Sequence, residues 1–251
     1  MNTPIRTIVK LGVLLPEGNI TCETEFPALA PAGHSFHYQR LHREGTVLTQ
    51  ASLLSMQDSV DDATNALLMP RPAAMVYACT SGTFLAGHDK HADMANRMEA
   101  LSGVPCITTA SAMLYALKRV NAQRIHMLTP YPEAINQTEC DFLRFHGIDV
   151  VRPDTFGCRD SDEIRALSWQ QVLDRVRSHH ADASNADALF LSCTNMPALE
   201  AIETLEAELG IPVISSNSAS AWAVLRLAGY HQTIAAIGAL GKLDYQSISD
   251  Q

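Results

Sequence analysis

Aromatic residues make up only 6% of the 251-residue chain, and 18 lysines and arginines face 27 aspartates and glutamates. The net charge of −9 and the lack of any basic run argue against a nucleic-acid partner or an anionic membrane surface. Long apolar runs are also missing. Stretches such as Ile8 to Pro16 and Ala186 to Leu191 have strand length, so no membrane span is expected. Met1 to Lys10 carries only Arg6 and Lys10, with no apolar core ahead of a small-residue cleavage site, so a cytoplasmic location is expected. The six cysteines (Cys22, Cys79, Cys106, Cys140, Cys158, Cys193) form no C-x-x-C pair and no short His/Cys spacing. They are therefore read as thiols, with no zinc site. Glycine-rich nucleotide loops are absent, and Ser81 has no glycine two residues before it, which removes the serine-hydrolase elbow. No metal or organic cofactor is expected, and a small molecule is the expected partner.

What remains is an ordinary globular composition, 47% hydrophobic and 18% charged, in a chain long enough to bury roughly 70–75% of its unfolded surface. Strand-like runs Ile8–Leu15, Ala73–Ala78, Arg124–Leu128 and Ala188–Leu191 each end in turn residues. Helix-like segments alternate with them, for example Ser52–Leu68 and Glu163–His180. That order predicts an α/β fold with mostly parallel sheets flanked by helices and chemistry beyond the carboxyl ends of the strands.

The chain also repeats itself. Gly103-Val104-Pro105-Cys106-Ile107-Thr108-Thr109 resembles Gly210-Ile211-Pro212-Val213-Ile214-Ser215-Ser216, and each copy continues to an aromatic (Tyr115, Trp222) and an arginine (Arg119, Arg226). Upstream of each copy stands Cys-Thr, at Cys79-Thr80 and Cys193-Thr194. Two pseudo-symmetric halves follow, one of 1–117 plus 222–251 and one of 118–221, with a cleft between them. The competing explanation is chance similarity of α/β elements, which the matched order disfavours.

A cysteine where a strand meets the next helix is exposed at the sheet's active edge, and the helix's free N–H groups favour its thiolate. Cys79 and Cys193 are both read in that setting, whereas the other four cysteines are read as inert small hydrophobes. Opposed across a cleft, the two could serve one substrate as thiolate and thiol acid. Thr80 and Ser81 in one half, and Thr194 and Asn195 in the other, could form anion-binding nests or simple helix caps. Asn19 and Tyr131, each in a turn after a strand, could orient a carboxylate, although a surface turn explains Asn19 as well. The ten histidines are expected at solvent or beside helix ends.

Gly12-Val13-Leu14-Leu15-Pro16-x-x-Asn19 with Glu23-x-Glu25, Tyr77-Ala78-Cys79-Thr80-Ser81, Thr129-Pro130-Tyr131 with Asn136, and Ser192-Cys193-Thr194-Asn195 together resemble the aspartate/glutamate racemase superfamily. Within it they resemble the branch of maleate cis-trans isomerase and arylmalonate decarboxylase. The resemblance spans nearly the whole chain. It implies a two-half, cofactor-free and usually oligomeric enzyme, with Cys79 as nucleophile or first base and Cys193 as the opposed acid. It also implies substrate contacts from Asn19, Tyr131, Asn136 and Asn195. Arylmalonate decarboxylases carry glycine where Cys79 stands, which points toward isomerisation. Two departures from the maleate isomerase pattern are Glu17-Gly18 after Pro16, and Ser161 where a substrate-contacting asparagine is expected. The resulting expectation is a two-cysteine isomerase of a small dicarboxylate, most simply maleate to fumarate. An amino- or hydroxy-acid racemase is the alternative, and a decarboxylase or a non-catalytic binding protein lies further off.

Overall fold

The four aliphatic runs form the middle strands of two parallel sheets. The computed structural model describes residues 8–245, so Arg6 and both ends of the expected division lie outside the described residues. The first half runs β1 (Val9–Pro16), α1 (Cys22–Leu29), β2 (His34–Leu41), α2 (Gln50–Leu54), α3 (Val60–Leu68), β3 (Ala74–Tyr77), α4 (Ser81–Phe84), α5 (Asp93–Ser102), β4 (Cys106–Thr108) and α6 (Thr109–Arg119). The second runs β5 (Arg124–Thr129), α7 (Glu133–Phe145), β6 (Asp149–Thr155), α8 (Ser161–Arg165), α9 (Trp169–His179), β7 (Ala188–Leu191), α10 (Leu199–Leu209), β8 (Val213–Ser215) and α11 (Ser216–Leu227). Strand order is β2-β1-β3-β4 in one sheet and β6-β5-β7-β8 in the other, the same permutation, and every ladder is parallel. Helices cover both faces, so the middle strands bury nearly all their side chains and read as continuous apolar runs.

The internal repeat has a physical basis at each of its landmarks. Gly103 and Gly210 adopt φ of 69° and 70° and end α5 and α10 with N–H bonds to Glu99 and Glu206 carbonyls, a left-handed cap that favours glycine. Five residues on, Thr108 and Ser215 cap α6 and α11, each accepting the N–H three residues later. The two helices pack together, and α11 crosses back against β3 and β4 of the first sheet. Tyr115 and Trp222 both pack on Tyr245, at ring-centroid distances of 5.2 and 5.7 Å. Arg119 donates to the Asp244 carbonyl, while Arg226 donates to the carbonyls of Tyr230, Gln232, Gly241 and Leu243. The repeated aromatic and arginine thus clamp the C-terminal segment.

Two expected helices are interrupted. Between α2 and α3 the chain tightens to a 3-10 turn at Ser55–Ser59, where the Ser55 and Ser59 hydroxyls bond the carbonyls three residues back and compete with helical pairing. The second breaks at Ser168, which starts α9 through a reciprocal capping box with Gln171. The histidines also depart from expectation, because His126 on β5 and His180 after α9 are buried against each other with ring centroids 5.2 Å apart.

Glu25 of α1 is the strongest long-range tie. Buried, it accepts the N–H groups of Ala198 and Leu199 at the start of α10 (2.7 and 3.0 Å) and the Asn217 amide of α11 (2.7 Å). Burial pushes its carboxyl up and the three donors pull it back. Replacing Glu25 by Ala leaves those donors unpaired and should lower unfolding free energy by on the order of 3 kcal/mol, read from urea denaturation.

Candidate active site

A cleft of about 440 Å³, including its mouth, opens where the carboxyl ends of the strands of both sheets converge. Pro16, Gly18 and Asn19 enter it after β1, Arg43 and Leu48 after β2, and Cys79 and Ser81 after β3. The second half contributes Tyr131 after β5, Ser161 and Ile164 from α8, and Cys193, Thr194 and Asn195 after β7. Both expected cysteines line this one cleft. Neither is exposed, at 3% and 7%, because the facing half covers the sheet edge that each would otherwise present to solvent.

The two thiols differ in setting. Cys79 precedes α4, and its Sγ accepts the Gly82 N–H at 3.3 Å and the Ser81 hydroxyl, with the Arg43 guanidinium as a nearby positive charge. Burial still raises its pKa against these three. Gly82 is required there, since a Cβ would stand 2.9 Å from Cys79 Sγ. Cys193 does not stand at a helix start, contrary to expectation: α10 begins only at Leu199, and Glu25 already takes its first N–H groups. Burial pushes Cys193 up to about 12, with Cys79 and Glu139 adding to the rise and the Tyr131 hydroxyl and Asn195 N–H opposing it. Cys193 also sits at φ 121°, a strained backbone for a side-chain-bearing residue.

Beneath the thiols the halves are stitched together. Thr80 Oγ1 donates to Ser216 Oγ (3.0 Å), which also accepts the Cys193 N–H (3.0 Å). Thr194 Oγ1 donates to the Ala78 carbonyl and accepts from Asn19 Nδ2 at 3.0 Å. Thr80 is therefore floor, not lining. Asn195 lines the cleft, but its Oδ1 accepts from Ile20 N (2.9 Å) and its Nδ2 donates to the Gly18 carbonyl, so it also fixes the turn after β1. Asn136 lies outside the lining, where its Oδ1 takes the Thr129 hydroxyl at 3.0 Å.

Sequence reasoning missed two residues. Arg43 is the only charged side chain among the lining residues named for this cleft. Glu139 of α7 is fully buried, accepts from the Ser192 hydroxyl beside Cys193, and leaves Oε2 without a partner. A lone arginine in a loop and a glutamate within an amphipathic helix carry no sequence signal of their own. Among the described residues no group of three or more His, Cys, Asp or Glu could hold a metal ion, and no helix is long and apolar enough to cross a membrane.

Residues 11–241 match the arylmalonate decarboxylase family over most of the chain's length. The chain belongs to that family. It is 29% identical to the maleate isomerase of Nocardia farcinica over 229 residues, 87% of this chain and 90% of that protein. It is 29% identical to the arylmalonate decarboxylase of Bordetella bronchiseptica over 173 residues, 68% and 72% of the two chains. Among solved structures, a cysteine mutant of the Nocardia farcinica maleate cis-trans isomerase with a covalently bound succinylcysteine intermediate superposes with a TM-score of 0.88. Identity is 27% over 94% of this chain and 99% of that one. This family membership agrees with the racemase-superfamily resemblance, and the paired parallel sheets are the family's α/β architecture.

Glu139 makes a measurable prediction. Burial lifts its carboxyl to about 8, whereas unfolded it releases its proton near 4.5. Between those values the folded state holds a proton that the unfolded state has lost, so stability falls as pH rises, by up to about 1.4 kcal/mol per pH unit, and levels off above 8. Glu139→Gln should remove this slope. Denaturant melts of both proteins from pH 5 to 9 measure it.

Proposed function

We propose that the chain is a cofactor-independent cis-trans isomerase that converts maleate to fumarate, with Cys79 as nucleophile and Cys193 as proton donor. The reading takes 1–117 plus 222–251 as one half and 118–221 as the other, with one cysteine from each. The observation that carries it is the pairing of two unlike thiols in one cleft. Gly82 N–H, the Ser81 hydroxyl and Arg43 favour thiolate at Cys79, while burial, opposed only by the Tyr131 hydroxyl and the Asn195 N–H, keeps Cys193 a thiol. The succinylcysteine held by the Nocardia farcinica enzyme is the adduct such a pair would make.

The steps balance without an outside reagent. The Cys79 thiolate adds to one alkene carbon, forming a C–S bond as the π pair moves onto the adjacent carbon and its carboxylate. Cys193 gives that carbon its proton, leaving a saturated succinyl adduct, and the former double bond rotates as a single bond. Cys193 thiolate then withdraws a proton, the double bond re-forms in the trans arrangement, and Cys79 leaves as thiolate. Tyr131, bonded to Cys193, stabilises the thiolate while the proton is away. The second amide hydrogens of Asn19 and Asn195 supply neutral donors along the cleft for the substrate's oxygens.

Proton NMR in heavy water with maleate and aspartate as separate substrates tests the reading. Fumarate's vinyl signal should appear and aspartate's α-proton should persist. Loss of the α-proton with maleate inert would instead establish a racemase.

Cys79→Ala and Cys193→Ala should each lower turnover at least about a hundredfold. Cys140→Ala and Cys158→Ala should stay within a few fold. Near-normal turnover in Cys193→Ala would refute the two-thiol scheme.

A further inference from the structure

The cleft must hold a doubly charged substrate next to a thiolate, yet among its lining residues it offers a single formal positive charge, on Arg43. That side chain is buried and held from several directions. Its Nε donates to the Gly45 carbonyl at 3.0 Å and its Nη2 to the Thr46 carbonyl at 2.8 Å, which leaves Nη1 without a hydrogen-bond partner among the described residues. Its backbone N–H donates to Glu17 Oε1 at 3.3 Å. The Thr46 carbonyl that accepts from the guanidinium also accepts the N–H of Ser161, so the loop carrying Arg43 is tied across the cleft mouth to the second half. Ser161 itself lines the cleft with a side chain too short to replace a charge. The Glu17 carboxylate and the Ser161 N–H thus both support the loop that carries Arg43.

We propose that Arg43 is the carboxylate anchor of this site, binding one carboxylate of the substrate through its free guanidinium edge and making the cleft select dianions over their half-esters. The inference rests on the dicarboxylate reading above and adds the residue that reads the second charge. A guanidinium presents a fixed planar fork that matches a carboxylate, and in a buried site that pairing outweighs contacts from neutral amides. The remaining carboxylate falls to the neutral amide donors of Asn19 and Asn195, which hold an ion less strongly. Arg43 therefore decides which molecules bind, while the cysteines decide what happens to them.

The test uses unreactive ligands, so that it does not depend on turnover. Calorimetry of the full chain with succinate and with monomethyl succinate should show the dianion bound at least about tenfold more tightly. Arg43→Met should weaken succinate roughly ten- to hundredfold and bring the ratio of the two ligands to one or below, because a half-ester can place its ester against the methionine. Arg43→Lys keeps the charge, so it should retain a preference for succinate, and it serves the same comparison should the methionine variant fail to fold by circular dichroism. An unchanged ratio in Arg43→Met, loss of the preference in a folded Arg43→Lys, or no succinate binding by the unaltered protein would each overturn the proposal. Inertness of the unaltered protein toward maleate, with succinate still bound through Arg43, would overturn the isomerase reading alone.

Discussion

The site depends on a layer of hydroxyl hydrogen bonds where the two halves meet. Ser216 accepts from Thr80 of one half and from the Cys193 backbone of the other, and Thr194 joins Asn19 to the carbonyl of Ala78. These groups are buried, so each bond lost would leave a desolvated donor or acceptor worth about 1–3 kcal/mol. The penalty fixes the halves in register, and register sets where each cysteine stands. Because the residues flanking the cysteines are the same ones that form the layer, the catalytic geometry is set by the interface rather than by either half alone.

Burial and charge oppose each other throughout this interface. Exclusion of water raises both thiols, the Tyr131 phenol and the Glu139 carboxyl, so an isolated half would hold none of them at these values. What separates the thiols is what faces them. Arg43 is positive near Cys79, whereas no cation is among the groups that act on Cys193 and Glu139 turns negative there only as pH rises through about 8. Two cysteines equivalent by the repeat become an unlike pair because the charges around them are not repeated.

The legible part of the fold was its middle. β1, β3, β5 and β7 sit between two neighbours and under helices on both faces, so their sequences are continuous aliphatic runs. β2 and β6 lie at sheet edges and mix in polar and charged residues, as in His34–Leu41 and Asp149–Thr155, and neither shows as a strand in the sequence. The cysteines were legible through the repeat, and Asn19, Ser81, Tyr131, Thr194 and Asn195 through their turns. Thr80 and Asn136 are not among the residues that line the cleft, because a sequence turn shows which residues are close to an edge but not which side of the floor they occupy. Arg43 lay beyond reach for a different reason: its position depends on Glu17, Gly45, Thr46 and Ser161, contacts that no local pattern encodes.

The strained backbone at Cys193 follows from the same broken symmetry. Cys79 leads directly into α4, whose first N–H groups reach its sulfur, and its backbone is unstrained. In the second half no counterpart of α4 follows Cys193: α10, which the repeat pairs with α5, starts at Leu199, where Glu25 of the first half takes the N–H groups of Ala198 and Leu199. The five residues from Cys193 to Pro197 must then span a gap that α4 fills in the other half. A φ of 121° at Cys193 is held there by its N–H bond to Ser216 and by its carbonyl, which accepts from Met196. With no helix starting at Cys193, the groups that bond its sulfur are the Tyr131 hydroxyl and the Asn195 N–H. A thiol that keeps its proton until substrate arrives, the role proposed for Cys193, suits that environment, and the role proposed for Cys79 suits the opposite one. A short helix that follows Cys79 and has no counterpart after Cys193 is thus what sets the two thiols apart.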